Sequence, residues 1–271
     1  MLKYSNIERV LDRDMSSIEL PIDLGKLMEQ LQPKHGVKCE IHRKNVIHAS
    51  GSDIQAGRFG TIHTSSRTGR VHCSINRLCS ILRNDLQIDG MPTLEIDLAS
   101  SQPYFLATLF PLPQLREAVS RGEFYVRINE LLPLPINFEN KAEYSCFKQS
   151  ILSILYARPV HGYDYTEAAE YKHTHTITAF EQAYPGISTF LKKYRKTYGD
   201  IALPIAMQRL ESRAFINGAL KKLQSMEIPA IPIHDSILCR ICDANCVEAI
   251  IRECLLEQVQ IAPTLRKSKI A

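Results

Sequence analysis

Residues 93–99 constrain the fold most, because apolar and polar side chains alternate strictly along them. One face of this segment consists of three aliphatic side chains, those of Leu94, Ile96 and Leu98. Glu95 and Asp97 occupy the other face. Alternation with a period of two predicts a β-strand with one buried face. A carboxylate in such apolar surroundings is costly unless it is paired or binds a metal ion, so Asp97 is a candidate functional residue.

A second carboxylate lies in a similar setting near the carboxyl end of the chain. Residues 228–241 are mostly apolar and are interrupted by His234, Asp235 and Ser236, which predicts a hairpin with these residues in its turn. Asp97 and Asp235 would suit a two-metal phosphoryl-transfer site, in which one ion activates the attacking oxygen and both stabilise the transition state. Taken singly, each aspartate also fits a turn-forming or salt-bridging role.

Most of the remaining chain has apolar residues at helical spacing. Helices are predicted at residues 17–31, capped by Ser17, and at 74–86, 104–109, 143–156, 187–198, 203–226 and 244–259, the last capped by Asp243. Residues 37–63 contain short alternating runs and three glycines, which predicts strands and turns. The sequence therefore predicts an α+β fold, with a small helical and β appendage over residues 1–60 and a core over residues 61–271.

The composition indicates the class of protein but does not identify its function. The 271 residues are 45% hydrophobic, enough for a large core, and the net charge of +4 is compatible with nucleic acid. No run of eighteen apolar residues or signal-peptide core is present, so we expect a cytoplasmic protein without a membrane span. The eight cysteines are expected to be reduced. The cluster from Cys239 to Cys254 fits buried thiols better than a metal site, because Cys239 and Cys242 would point to opposite faces of a strand.

Three stretches of the chain resemble motifs of family A (DNA polymerase I-type) DNA polymerases. Residues 97–109, with the sequence DLASSQPYFLATL, resemble the first palm motif, in which an aspartate ends a strand and a helix follows. Upstream, Thr68-Gly69-Arg70 resembles the TGR stretch that precedes this motif. His234-Asp235 resembles the third motif, and in its Ile-His-Asp-Ser form it is closer still to single-subunit phage RNA polymerases. This resemblance implies that Asp97 and Asp235 hold the metal ions.

The resemblance also implies a fingers helix and a primer-template contact. Lys148 and Tyr156 have the spacing of the lysine and tyrosine on the fingers helix of this family, which contact the triphosphate and the nascent base pair. Eight residues place two side chains on one side of a helix. Gln208 resembles the glutamine of a helix beside the primer-template. The substrate-binding residues expected from the resemblance are Lys148, Tyr156, Gln102, Arg70, Gln208 and His234.

The chain departs from the family pattern at three informative positions. Tyr144 stands where the fingers helix normally has an arginine, four residues before Lys148. Gln102 replaces the glutamate that senses the sugar, and Ser236 replaces the acidic residue after the second aspartate. The resemblance is therefore to a compact, divergent relative of the kind expected on phages, plasmids or mobile elements. The expected fold is a polymerase palm, an antiparallel sheet with two aspartates backed by helices, with helical fingers, no exonuclease domain and a reduced or absent thumb.

The function expected from the resemblance is template-directed DNA synthesis. The cofactors would be two Mg²⁺ ions, with Mn²⁺ as a substitute, and the partners a DNA primer-template, dNTPs and an unidentified processivity factor. Two alternatives stay open: an RNA polymerase or primase of the same superfamily, and a catalytically inactive nucleic-acid-binding replication accessory. Residues 192–198 interleave lysine, arginine and tyrosine, which fits either a nucleic-acid contact or an ordinary solvated face.

Overall fold

The computed structural model describes residues 4–31, 40–156 and 167–268. The chain divides into two compact units. The first combines Met1–Leu98, Glu211–Gln260 and Leu265–Ala271, and the second combines Ala99–Leu210 with Ile261–Thr264. Helices and antiparallel strands are mixed, as predicted. No helix in the described part of the chain is long and apolar enough to cross a membrane.

The strands belong almost entirely to one antiparallel sheet of the first unit. In chain order the strands are β1 Ile18–Glu19, β2 His63–Thr64, β3 Val71–His72, β4 Gln87–Ile88, β5 Met91–Leu98, β6 Ala230–Ile233, β7 Ser236–Arg240 and β8 Leu265–Ser268. The main sheet has the order β1-β4-β5-β7-β6, with β8 on the other side of β5 from β7, and β2 and β3 form a separate hairpin. The predicted strand is thus the centre of the sheet, flanked by β7 and β8.

The helices cover most of the remaining described residues. They are α1 Tyr4–Ser16, α2 Leu24–Gln30, α3 Glu40–Gln55, α4 Ser74–Arg77, α5 Ser80–Arg83, α6 Ser101–Leu109, α7 Pro113–Ser120, α8 Phe124–Asn129, α9 Lys141–Tyr156, α10 Glu167–Ala183, α11 Ile187–Tyr198, α12 Ala202–Ser212, α13 Lys221–Ser225 and α14 Ala244–Val259. A π-helical segment, Arg213–Leu220, joins α12 to α13. The helices predicted at 104–109, 143–156 and 187–198 are confirmed, and the one at 203–226 is continuous but partly π-helical.

The helix predicted for residues 17–31 begins later than expected, at Leu24. Residues Ile18–Glu19 pair with β4, so they form a strand of the sheet and not the start of a helix. The cap is Asp23, whose carboxylate accepts a hydrogen bond from the backbone N–H of Lys26 at 3.1 Å. Ser17 instead donates to the carbonyl of Asp14. The helix begins late because residues 18–19 pair in the sheet, and this pairing depends on a strand about 70 residues further along the chain.

The prediction of strands and turns over residues 37–63 is wrong for residues 40–55, which form α3. Ile47, Gly51 and Ile54 are buried at helical spacing. A Cβ atom on Gly51 would lie 2.6 Å from Leu24 Cδ2, so the glycine permits close packing of α3 against α2. Glycine here reflects a close helix–helix approach rather than a turn. Nothing in a single sequence distinguishes these two uses.

Two smaller expectations also need correction. The helix predicted for residues 74–86 is two short helices, α4 and α5, separated at Leu78 and Cys79. Asp243 precedes α14, but its carboxylate makes no cap hydrogen bond and pairs with Arg240 Nε at 2.6 Å. Cys242 is exposed in a 3₁₀ turn rather than on a strand. The cysteines of the described residues are all free thiols. Cys239 is buried in β7, as expected.

Candidate active site

The turn between β6 and β7 is a two-residue connection made by His234 and Asp235, since Ile233 pairs with Ser236. His234 has a φ of 57°, whereas Asp235 has a negative φ. A positive φ at the first turn position is normally supplied by glycine and costs a residue with a side chain of the order of 1–3 kcal/mol. Strain of this kind is often found where a side chain has a functional task. The predicted hairpin is confirmed with His234 and Asp235 in its turn, whereas Ser236, also expected there, is the first residue of β7.

Asp97 lies on β5, and Asp235 lies in the turn that leads into the neighbouring strand β7. Asp97 pairs with Ser236 in the β5–β7 register, and the backbone N–H of Leu98 donates to the carbonyl of Asp235 at 3.1 Å. Both aspartates are half-buried. Adjacent strands are about 4.8 Å apart, so the two residues occupy neighbouring positions. They lie at the end of the sheet where β5 ends and β7 begins, which is called the sheet edge below. The expected adjacency of the two strands is confirmed.

A third carboxylate, Glu95, belongs to the same acidic face and was not identified from the sequence as a site residue. The Ser236 hydroxyl lies 2.6 Å from Glu95 Oε1 and is the donor to it. Arg83 Nε lies 3.4 Å from Glu95 Oε2, and Arg83 Nη1 donates to the carbonyl of Leu78 at 2.6 Å. Glu95 precedes Asp97 by two residues on the strand, and that spacing was the available signal.

β8 brings a cation to the opposite side of the central strand. Arg266 pairs with Asp97 in the β5–β8 register and is exposed. Residues directly opposite in a sheet have their side chains on the same face, so Arg266 belongs to the acidic face. This neighbour could not be predicted from the sequence, because the pairing depends on where the carboxyl-terminal segment returns to the sheet.

The surroundings of His234 lower the pKa of its imidazole and so favour the neutral form. Its ring lies 6.3 Å from the ring of His72, centroid to centroid, and His72 is stacked on His63 at 4.9 Å. Burial lowers the pKa of His234, and the nearby charges of Arg70 and His72 lower it further. The Nδ1 atom of His234 is buried and has no hydrogen-bond partner among the described residues. In a neutral imidazole one ring nitrogen donates a hydrogen bond and the other accepts one.

Arg70 is anchored by an ion pair within the first unit. Its Nε and Nη2 atoms lie 2.7 and 2.8 Å from the two carboxylate oxygens of Glu211, which is 1% exposed. Gly69 has a φ of 77°, and a Cβ there would lie 3.1 Å from Ser212 Cβ. The glycine thus lets this turn approach the end of α12, where Arg70 forms a bidentate pair. The substrate contact expected of Arg70 stays a prediction.

The residues at the sheet edge fit a divalent cation of the magnesium type. In the described ranges no group of three or more His, Cys, Asp or Glu side chains is arranged to hold a metal ion. The candidate donors are therefore the pair Asp97 and Asp235, both of them oxygen ligands. Mg²⁺ usually keeps several waters and binds through one or two carboxylates plus substrate phosphates, so two carboxylate ligands suit the chemistry of this ion.

Lys148 belongs to the second unit, on α9, as predicted from its spacing to Tyr156. Phe147, Ile151 and Leu155 form the buried stripe of this helix. Lys148 Nζ lies 5.1 Å from the ring centroid of Tyr144 and 6.0 Å from that of Tyr125. These distances are in the range of cation–π contacts.

Tyr156 is half-buried at the last residue of α9. That helix end is capped by Arg195, whose Nη2 donates to the carbonyls of Ile154 and Leu155. Burial lowers the pKa of Arg195. A cation at a helix carboxyl terminus is favourably placed against the helix dipole.

The other predicted residues of the second unit are placed as follows. Gln102 is half-buried in the first turn of α6, and Gln208 is half-buried on α12. Asp97, His234, Asp235 and Arg70 thus belong to the first unit, whereas Gln102, Lys148, Tyr156 and Gln208 belong to the second.

The basic and aromatic run at residues 192–198 lies on α11. Arg195 is used as a cap for α9, whereas Lys192, Lys193 and Lys196 are exposed. The ring centroids of Tyr194 and Tyr198 are 4.8 Å apart, and Tyr198 is 66% exposed. Three cations beside an exposed ring remain compatible with a nucleic-acid contact.

The fold resembles that of a solved polymerase. The POL domain of Pol1 from M. smegmatis, in complex with DNA primer-template and dNTP, matches with a TM-score of 0.50 and 11% sequence identity. The match covers 98% of this chain and 64% of that one, so the chain spans less than two thirds of its neighbour's length. At this identity the similarity concerns the fold, which is polymerase-like. No protein-family model matches the chain, and no curated protein sequence matches it.

Proposed function

We propose that this chain is a template-directed DNA polymerase that extends a primer by two-metal phosphoryl transfer. The observation that carries the proposal is the place in the sheet where Asp97 on β5 lies beside Asp235, the turn residue that precedes β7. The polymerase-like fold supports it, because the structural neighbour is a polymerase domain in complex with DNA primer-template and dNTP. In this proposal residues 61–271 form the palm and fingers core, residues 1–60 are an appendage, and the protein acts in the cytoplasm.

Asp97 and Asp235 are the residues that would hold magnesium or manganese. When bound, such ions activate an attacking oxygen and stabilise the charge that develops on the transferred phosphoryl group. The carboxylates of the two aspartates supply the hard oxygen ligands. Ser236 and Arg83 fix Glu95 beside them, which keeps a further negative charge at the same face.

The remaining residues bind and orient substrate in this proposal. Lys148 contacts the triphosphate of the incoming dNTP, Tyr156 packs at the nascent base pair, and Gln102 borders the sugar. Three further residues contact the primer-template: Arg70, Gln208 and His234. Held neutral, His234 can donate or accept a hydrogen bond without adding charge.

An RNA-synthesising enzyme of the same superfamily is the second candidate. The turn sequence Ile-His-Asp-Ser favours it, because this form resembles the single-subunit phage RNA polymerases more closely. Gln102 favours it too, because an amide can both donate to and accept from a ribose hydroxyl.

A primer-extension assay separates these candidates. The purified chain is incubated with Mg²⁺ and either dNTPs or rNTPs, on DNA and on RNA templates with a labelled primer. We expect extension with dNTPs on DNA, and its loss in Asp97→Asn. Extension confined to rNTPs would support the second candidate. Failure to extend under all four conditions, with intact binding of primer-template, would support a catalytically inactive replication accessory.

A further inference from the structure

The ammonium group of Lys148 is held by two aromatic rings of its own unit. Tyr144 lies one helical turn before Lys148 on α9, and Tyr125 comes from α8. The Nζ atom lies 5.1 and 6.0 Å from the two ring centroids, and the two rings meet edge to face at 6.0 Å. The half-buried side chain of Lys148 is thus placed against a corner made by two tyrosines.

This corner belongs to a larger ring cluster that fixes its shape. Phe138 lies 4.8 Å from Tyr144, and Phe147 lies 6.1 Å from Tyr125. Phe147 is buried and Tyr125 is 7% exposed, so Tyr125 cannot move without disturbing the core. Rings packed in this way have few accessible rotamers, and the position of the ammonium is limited accordingly.

A ring face orients a cation without neutralising it. A carboxylate partner would cancel the charge of Lys148, and in the described part of the chain no carboxylate lies within 4.0 Å of its ammonium. The aromatic quadrupole attracts the ammonium but carries no net charge. The positive charge therefore remains available to an anionic ligand, while the side chain loses part of its conformational freedom before the ligand binds.

We infer that Tyr144, with Tyr125, is a positioning residue that pre-orients Lys148 for the triphosphate of the incoming nucleotide. This inference rests on the proposed polymerase function. Tyr144 occupies the place where the resembling family has an arginine, so a second cation is replaced here by a neutral ring. The side chain of Tyr144 acts through Lys148 and needs no contact with the nucleotide.

The test compares Tyr144→Phe with Tyr144→Leu. Phenylalanine keeps the ring face and removes the hydroxyl, whereas leucine removes the ring. Tyr144→Phe should keep the wild-type KM for dNTPs, and Tyr144→Leu should raise it about two- to fivefold, with a smaller change in kcat. Phe138→Leu is the matched comparison, since it removes a ring of the same cluster that supports Tyr144 but has no cation–π contact with Lys148, and it should raise KM less than Tyr144→Leu does.

A second readout does not depend on catalysis. Limited acetylation with an N-hydroxysuccinimide ester, quantified by peptide mass spectrometry, should modify Lys148 about two- to fivefold faster in Tyr144→Leu than in wild type or Tyr144→Phe. Lys141, exposed at the start of α9, is the internal reference and should not change.

The outcomes distinguish the inference from the proposed function. Primer extension by wild type with equal KM values in Tyr144→Leu and Tyr144→Phe would overturn the inference alone. Ring-dependent acetylation in a protein that extends no primer would refute the polymerase function and the nucleotide role together. The positioning role would be established if the protein extends a primer and if both KM and the acetylation rate change in Tyr144→Leu but not in Tyr144→Phe.

Discussion

The sheet edge of the first unit and helix α9 of the second unit hold their charged groups by different physical means. At the sheet edge, Asp97 and Asp235 are fixed by strand register, and Glu95 is fixed by a hydroxyl and a guanidinium. On α9, the ammonium of Lys148 rests against ring faces. Strand register and charge-assisted hydrogen bonds fix the position of a charged group closely. A cation–π contact at a half-exposed site contributes only about 0.5–1 kcal/mol and therefore holds its ammonium more loosely.

This difference agrees with the separate tasks proposed for the two regions. Chemistry at a reacting phosphorus requires charges held within a fraction of an ångström, which a paired strand provides. A nucleotide that must enter and leave in each cycle needs a cation of moderate affinity instead. We therefore expect substitutions at the sheet edge to act mainly on kcat, and substitutions around Lys148 to act mainly on KM.

The largest effect is expected from Asp97→Asn or Asp235→Asn. Each substitution keeps the volume but removes the negative charge, and magnesium-dependent extension should fall by at least about 10²–10³-fold. Binding of primer-template should change little, because it depends on lysine and arginine contacts to phosphates. Single-turnover extension and fluorescence anisotropy measure the two quantities. Extension within tenfold of wild type would exclude the substituted aspartate as a metal ligand.

Lys148→Ala should have the next largest effect. Without the ammonium, the triphosphate loses a charge-assisted contact worth about 1.5–3 kcal/mol, so KM for dNTPs should rise about 10- to 100-fold. Lys141→Ala on the same helix is the control and should behave as wild type. Steady-state kinetics on a fixed primer-template provides the comparison, and unaltered KM and kcat in Lys148→Ala would mean that this lysine is merely solvated.

Gln102→Ala should alter the choice of sugar. The side chain of Gln102 is expected to obstruct a ribose hydroxyl by its bulk and partly to accommodate it through its amide. Removal should reduce the preference for dNTPs over rNTPs by about 1–3 kcal/mol, roughly 5- to 150-fold in the ratio of kcat/KM. If competition between the two nucleotides gives the same ratio in both proteins, Gln102 does not sense the sugar and Tyr156 becomes the next candidate.

Ser236→Ala should lower the stability of the protein but leave it folded. The substitution removes the donor to Glu95 and leaves a half-buried carboxylate with one hydrogen bond fewer, which should lower the free energy of unfolding by about 1–3 kcal/mol. Ser225→Ala, which removes an exposed hydroxyl bonded to the carbonyl of Lys222, is the control and should cost less than about 0.5 kcal/mol. Urea denaturation measures both, and equal losses would mean that the Glu95 contact has no special weight.

The smallest effect is expected from pH acting on His72 and His234. The pKa of each is lowered from 6.5 in the folded protein, first by burial and then by neighbouring charges. The groups that face the two rings are His63, Arg70, Arg77, Arg83 and Glu95. Below pH 6.5 the unfolded chain binds protons that the folded chain does not, so stability falls as the pH decreases. The loss between pH 7 and 5 should be smaller in His72→Gln than in wild type; an equal loss would show that His72 does not contribute to it.

The order of apolar and polar residues in the sequence correctly predicted several helices and strands. Strand β5 was predicted from alternation, helices α9 and α11 from apolar spacing, and the β6–β7 hairpin from its polar interruption. The buried residues of α9 and α11 recur at helical spacing, and Ile96 and Leu98 of β5 are buried two residues apart. Strands β6 and β7 are instead buried on both faces, so the hairpin was recognisable from its polar turn and not from a period. The neighbouring strand positions of Asp97 and Asp235 were predicted as well, because both motifs place their aspartate at a strand end.

The amino-acid sequence by itself determined the central strand, its hairpin partner and the helices that have a regular buried stripe, since those patterns are properties of consecutive residues. The tertiary structure alone decided that Gly51 lies inside a helix, that β8 brings Arg266 opposite Asp97, and that Ser236 binds Glu95. These outcomes depend on contacts between segments that are distant in the chain. A hydrogen bond or a close approach of that kind is fixed by packing in three dimensions and leaves no periodic signal in either segment.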